Sequence, residues 1–160
     1  MLSGMAERCT VNAPRTGLGA AAERIMRALP TWFGIEEGIV DYTAAAERMP
    51  TLLATVGGAP VGFMTIERHF SVAAELHVLG VLESHHRQGI GRCLLEATEA
   101  WLRGDGCHWL QVKTLSDRRE CAAYAKSRAW YEAMGFEPLQ VFPLLWGEAN
   151  PALQLVKRLD

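Results

Sequence analysis

The sequence predicts a mixed α/β sandwich, and three observations carry that prediction. An early segment repeats apolar residues at helical spacing and a second short helix ends at Pro50; three strands follow in succession, the first two around a glycine pair. After them come strand-like and helix-like stretches in alternation, ending on two strands. That order belongs to a mixed sheet rather than a regular doubly wound one.

The segment "AERCTV" reads as a short first strand. From Leu18 the apolar residues Leu18, Ala21, Ala22, Ile25, Met26 and Leu29 mark one helical face. Pro30 closes that helix, because proline disfavours helical geometry in the residue before it. "TWFGIEEGIVDYTAAAERMP" is broken by glycine and then forms a second helix ending at Pro50. "LLATV" and "PVGFMTIER" flank "GGA", whose glycines are free to take positive φ in a hairpin. "AELHVLGVL" is the next strand, and "HHRQGIGRCLL" is a loop that turns directly into a helix reaching about Leu102. Ile90, Leu94, Leu95, Ala97, Trp101 and Leu102 fit its buried face. After "RGDG" comes the strand "HWLQVKTL", then the helix "AAYAKSRAWYEAM" stopped by Gly135. "FEPLQVF" and "ALQLVKRL" are the last two strands.

The 160 residues, 49% hydrophobic and 21% charged, fit one domain, taken as 1–160, with a sizeable core. The formal net charge of −2, with both signs interspersed, gives no reason to expect nucleic acid or a membrane surface as partner. Cys9, Cys93, Cys107 and Cys121 show neither C-x-x-C pairing nor histidines at zinc spacing, so no metal is expected. No secretory signal or membrane-length apolar run is found, and a cytoplasmic location is expected. A homodimer stays open.

The glycine junction is where chemistry enters. The first turn of a helix carries unpartnered N–H groups and a partial positive charge, both of which a phosphate satisfies. Gly89 and Gly91 let a bulky anion approach, and Arg87 and Arg92 add positive charge. A tight turn packed on a neighbouring strand explains the same glycines equally well. The dinucleotide fingerprint fails at Leu94, and the Gly-Lys-Ser/Thr of a nucleotide-binding P-loop is absent.

"VLGVLESHHRQGIGRCLLEATEAWL" resembles the central motif of the GCN5-related N-acetyltransferase (GNAT) superfamily, Gln/Arg-x-x-Gly-x-Gly/Ala after a strand and before a long helix. Its six positions here are His86, Arg87, Gln88, Gly89, Ile90 and Gly91. "AWYEAMGFEPL" resembles the superfamily's later helix end and strand, so the likeness runs from about Leu18 to the C-terminus. The resemblance implies a mixed, mostly antiparallel sheet flanked by helices on both faces, in a bacterial-type acetyltransferase using acetyl-CoA. It also implies pantetheine contacts from the backbone of Leu79, Gly80 and Val81, and pyrophosphate contacts from His86 to Arg92. The sequence departs from the pattern in three places. His86 replaces the usual Gln or Arg, Tyr124 stands where many members carry a cofactor-binding Asn, and Gln111 stands where some protein N-terminal acetyltransferases have a catalytic Glu.

Acetyl transfer from a thioester to an amine needs a neutral amine, a stabilised oxyanion and a proton for the leaving thiolate. Tyr131 matches the family tyrosine and is the candidate acid; a core aromatic is the plainer reading. A main-chain N–H near Leu79 or Gly80 is the candidate oxyanion donor, with Gly80 suited to a bulge. Glu75 and His77 alternate onto one strand face and are the candidate bases through water; a structural histidine and a surface carboxylate account for them too. Trp32, Phe33, Glu36, Glu37, Trp146 and Glu148 would make an aromatic, acidic site for a cationic amine of a small molecule or peptide. A transferase of longer acyl groups and a non-catalytic acyl-CoA sensor are the alternatives.

Overall fold

The computed structural model describes residues 8–160, so Ala6 and Glu7 of the expected first strand lie outside the described residues. The strands are β1 (Thr10–Val11), β2 (Thr51–Val56), β3 (Ala59–Phe70), β4 (Ala73–Val81), β5 (Trp109–Leu115), β6 (Glu137–Phe142) and β7 (Ala152–Arg158). The helices are α1 (Gly19–Arg27), α2 (Glu36–Arg48), α3 (Ile90–Gly104) and α4 (Ala122–Ala133). The strands hydrogen-bond in the order β1-β2-β3-β4-β5-β7-β6. Antiparallel pairing dominates, and β4 with β5 is parallel. Among the described residues no helix is long and apolar enough to cross a membrane.

Two compact units divide the chain, with β3 and β4 running through both. The first holds residues 8–65 and 78–98. Its hairpin turns at Gly57 and Gly58, with φ of 58° and 79°, between the paired Val56 and Ala59. Positive φ at both central residues is what a two-residue type I′ hairpin demands. Further along β3, Phe63 is fully buried with Ala22, Ile25 and Met26 of α1 and Ile39 and Ala46 of α2. A Cβ placed on the neighbouring Gly62 would lie 3.2 Å from Ile90 and from Leu94 of α3. Consecutive strand residues point to opposite faces. So α1 and α2 cover one face of this unit and α3 the other, as the fold class requires.

The second unit holds residues 66–77 and 99–160. Here β4 pairs with β5 from Ala73↔Trp109 to Leu76↔Val112, and β7 lies between β5 and β6. Helix α4 ends in a Schellman motif. The Gly135 amide donates to Glu132 O at 3.0 Å and the Phe136 amide to Tyr131 O at 3.0 Å. Gly135 supplies the left-handed residue at φ 94°. The Tyr131 and Phe136 rings meet edge-on at 5.7 Å, the apolar contact that accompanies such a stop.

Candidate active site

Strand β4 ends where the Leu82 amide donates to Val61 O at 2.9 Å, and a 3-10 turn over Glu83–His85 follows. Arg87 then takes φ 60° and Gly89 φ 79°, before α3 starts at Ile90. Across this junction the Cys93 amide donates to Gly89 O at 2.9 Å. Left-handed residues beside right-handed ones can turn successive amides to one side, the pattern of an anion-binding nest. It opens into the first turn of α3, whose amides have no intrahelical acceptor. No atom lies within 4 Å of where a Gly89 Cβ would stand, so the chain needs glycine there for its backbone angle rather than for space.

His86 does not stand in for the family's Gln or Arg as a free side chain. Its Nε2–H donates to Val81 O at 2.6 Å, and its ring meets Trp32 edge-on at 5.8 Å. That ties the loop to the strand end and leaves the Val81 carbonyl already engaged. Gln88 donates to Ser84 O at 3.1 Å, bracing the same turn. Leu79, Gly80 and Val81 lie past the end of the β4–β5 ladder, which stops at Leu76. Gly80 has a packing reason as well: a Cβ there would sit 3.1 Å from Leu29 Cδ1 and 3.2 Å from Phe63 Cε1.

Trp32 and Phe33 are half-buried against the α1–α2 cluster, and Phe33 meets Tyr42 edge-on at 6.2 Å. Glu36 is exposed and held by both Arg27 guanidinium nitrogens at 2.8 and 2.9 Å. Arg27 keeps its carboxyl below the usual carboxylate range. Glu37 is exposed in the first turn of α2, where its charge suits the helix dipole. Trp146 and Glu148 are exposed in the connection between β6 and β7.

In the second unit, polar side chains of β3 and β4 meet. Glu67 Oε2 lies 3.2 Å from His77 Nδ1, and His69 Nε2 lies 2.7 Å from Glu75 Oε1. Glu75 is buried, and Lys113 of β5 donates to its other oxygen at 2.9 Å. Glu75 and His77 thus each lie beside polar side chains of the neighbouring strands. Their partners Glu67, His69 and Lys113 escaped the sequence reading. The signal was there in Glu67-x-His69 opposite Glu75-x-His77, once the two strands are taken as consecutive arms of one hairpin. Gln111 hydrogen-bonds Gln154 across the β5–β7 pair. Tyr131 is buried, with the Trp130 ring at 5.3 Å and the Phe136 ring at 5.7 Å, while Tyr124 is half-buried in the first turn of α4.

A strand, a turn with two left-handed residues and a long helix thus follow one another at this junction. The model of the acetyltransferase (GNAT) domain family matches residues 47–138, more than half of the chain, and the chain belongs to that family. Solved structures agree on the fold. A GNAT-family protein from Desulfovibrio desulfuricans has a TM-score of 0.82 at 15% identity, covering 96% of this chain and 100% of that one. The ribosomal-protein-S18-alanine N-acetyltransferase from Escherichia coli has a TM-score of 0.73 at 22% identity, covering 96% and 95%. An aminoglycoside 6′-N-acetyltransferase solved with coenzyme A has a TM-score of 0.73 at 16% identity, covering 94% and 97%. At these identities the likeness establishes the fold and leaves the acceptor open.

Proposed function

We propose that the chain, acting as one domain, moves an acetyl group from acetyl-CoA to a primary amine of a small molecule or peptide by direct transfer in a ternary complex. The observation that carries this reading is the nest at Arg87 and Gly89 opening helix α3. Amides from His86 to Arg92 take the pyrophosphate, and the side chains of Arg87 and Arg92 add charge. Leu79, Gly80 and Val81 hold the pantetheine arm, Val81 through its amide because its carbonyl accepts from His86. Tyr124 adds a cofactor contact from α4.

The acceptor arrives as an ammonium and must lose a proton. His77 takes it, directly or through water. The Glu67 carboxylate, 3.2 Å from Nδ1, orients the ring and stabilises the imidazolium that forms. Glu75 has both oxygens engaged by His69 and Lys113 and holds negative charge beside that base. The freed amine attacks the thioester carbon, and a main-chain N–H near Leu79 or Gly80 stabilises the oxyanion. The C–S bond then breaks, Tyr131 gives its proton to the departing thiolate, and the second proton of the attacking nitrogen passes through water to the phenolate, leaving a neutral amide. Trp32, Phe33, Glu37 and Trp146 contact the acceptor, while Glu36 shapes the site through its fork with Arg27.

The test pairs calorimetric titration of acetyl-CoA, CoA and a longer acyl-CoA with thiol release over a panel of amines. His77→Ala should keep acetyl-CoA binding and lower kcat by roughly a hundredfold or more, the range of one general base, and Glu67→Gln should lower it by less. Tyr131→Phe should do the same without loss of packing. Binding without turnover of any amine would favour an acyl-CoA sensor. Absence of acyl-CoA binding would end the reading.

A further inference from the structure

The polar cluster on the β3–β4 hairpin holds more than a base needs. One ligand atom each from Glu67, His69 and Glu75 all lie within 4.8 Å of one another. Glu75 is buried, and its two oxygens face different partners. Oε1 lies toward His69 at 2.7 Å, and Oε2 is fixed by the Lys113 ammonium at 2.9 Å. A carboxylate oriented from behind in this way resembles the hydrogen-bonded outer shell that aims metal ligands.

We propose that Glu67, His69 and Glu75 form a binding site for a divalent cation of the zinc class, with water as fourth ligand. Zinc bonds to imidazole nitrogen and carboxylate oxygen are about 2.0–2.2 Å, so tetrahedral ligand atoms stand roughly 3.4 Å apart. The His69–Glu75 pair must open slightly and Glu67 must close in, both within side-chain reach on two adjacent strands. The donor set selects the metal. One imidazole with two carboxylates suits a borderline cation, whereas calcium needs six or more oxygens and magnesium a near-ideal octahedron. Two carboxylate charges balance the cation, and Lys113 stays on the oxygen the metal does not use. The sequence reading expected no metal because it searched for spacing along the chain; these ligands are paired across a hairpin.

Loading the site draws Glu67 away from His77, and so lowers kcat. That consequence, unlike the site itself, rests on the proposed role of His77. The experiment separates the two by measuring binding without any acyl-CoA. Chelator-stripped full-length protein is titrated with Zn2+ against a chromophoric chelator, and with Co2+ for its visible spectrum. One equivalent should bind, with the intense absorption of four-coordinate Co2+. His69 is exposed and Glu67 half-buried, so His69→Ala and Glu67→Gln leave the fold intact by melting and circular dichroism. Each should weaken Zn2+ by at least about tenfold, since even outer-shell changes cost that much. His108→Ala, an exposed histidine elsewhere, should change nothing. No bound equivalent, or one that survives His69→Ala because thiols hold it, would overturn the site. A bound equivalent that leaves kcat untouched would keep the site and remove His77 from catalysis.

Discussion

Gly89 offers a sharp test of the cofactor loop, because the structure separates two reasons for a glycine. Its φ is 79°, and open space surrounds the place a Cβ would occupy. Substitution therefore costs backbone energy without a clash. Left-handed geometry costs a non-glycine residue roughly 1–2 kcal/mol, less for Asn and more for a β-branched side chain. For a chain of this size that corresponds to a melting temperature lower by about 2–8 °C in Gly89→Ala. Apo stability should fall in the order Gly, Asn, Ala, Val. Acetyl-CoA at a hundred times its Kd should stabilise the wild type by about 2.7 kcal/mol, or roughly 5–11 °C. If the nest holds pyrophosphate, Ala and Val should also lose most of that ligand shift, because the amides no longer converge. The assay is a melt with and without acetyl-CoA for the four proteins. Gly89→Val with wild-type apo stability would refute the strain argument, and Val with a full ligand shift would place the pyrophosphate elsewhere.

Arg87 carries the opposite strain, a φ of 60° on a residue with a side chain. Arg87→Gly should raise the apo melting temperature by a few degrees while weakening acetyl-CoA, read by the same melts. Gly80→Ala drives a methyl to 3.1 Å from Leu29 and 3.2 Å from Phe63, and should cost about 1–3 kcal/mol in urea unfolding. Burial, with Cys93 close by, pushes the Cys9 thiol up from 9.0 to about 11. The fold thus favours the neutral thiol: this contribution is whole below about pH 9 and disappears as the pH climbs to about 11. Alkylation of Cys9 in the folded protein should show its midpoint near 11, and Cys93→Ser should bring that midpoint down.

Elements were legible where local chemistry decides them. The glycine pair at 57 and 58, the apolar stripe of α1 and the turn before α3 each read directly from residue type and spacing. Partnerships set by strand pairing were not legible. That Glu67 faces His77 follows only once β3 and β4 are known to pair, and spacing along the chain does not say that Lys113 of β5 fixes Glu75. His86 is the instructive case. The resemblance implies a cofactor contact from the loop amides there, and the chain alone does not say that the side chain returns to Val81, five residues back.

The two family motifs therefore differ in what they do, and a single substitution separates them. "AWYEAMGF" reads as a functional signature, but its glycine and phenylalanine serve a helix stop. Gly135 bears φ 94°, its amide closes on Glu132, and Phe136 packs on Tyr131. A Cβ on Gly135 would meet Lys157 Cε at 3.4 Å, an ordinary contact, so the cost of Gly135→Ala is again conformational. It should be about 1–2 kcal/mol, the same as for Gly89→Ala, because the backbone region is the same. The two variants should melt alike without ligand and differ with it. If the loop before α3 holds pyrophosphate as proposed, Gly135→Ala should keep the full acetyl-CoA shift, while Gly89→Ala loses it. Loss of the ligand shift in Gly135→Ala would mean that the helix stop positions Tyr131 for the cofactor as well, and the division between the motifs would fail.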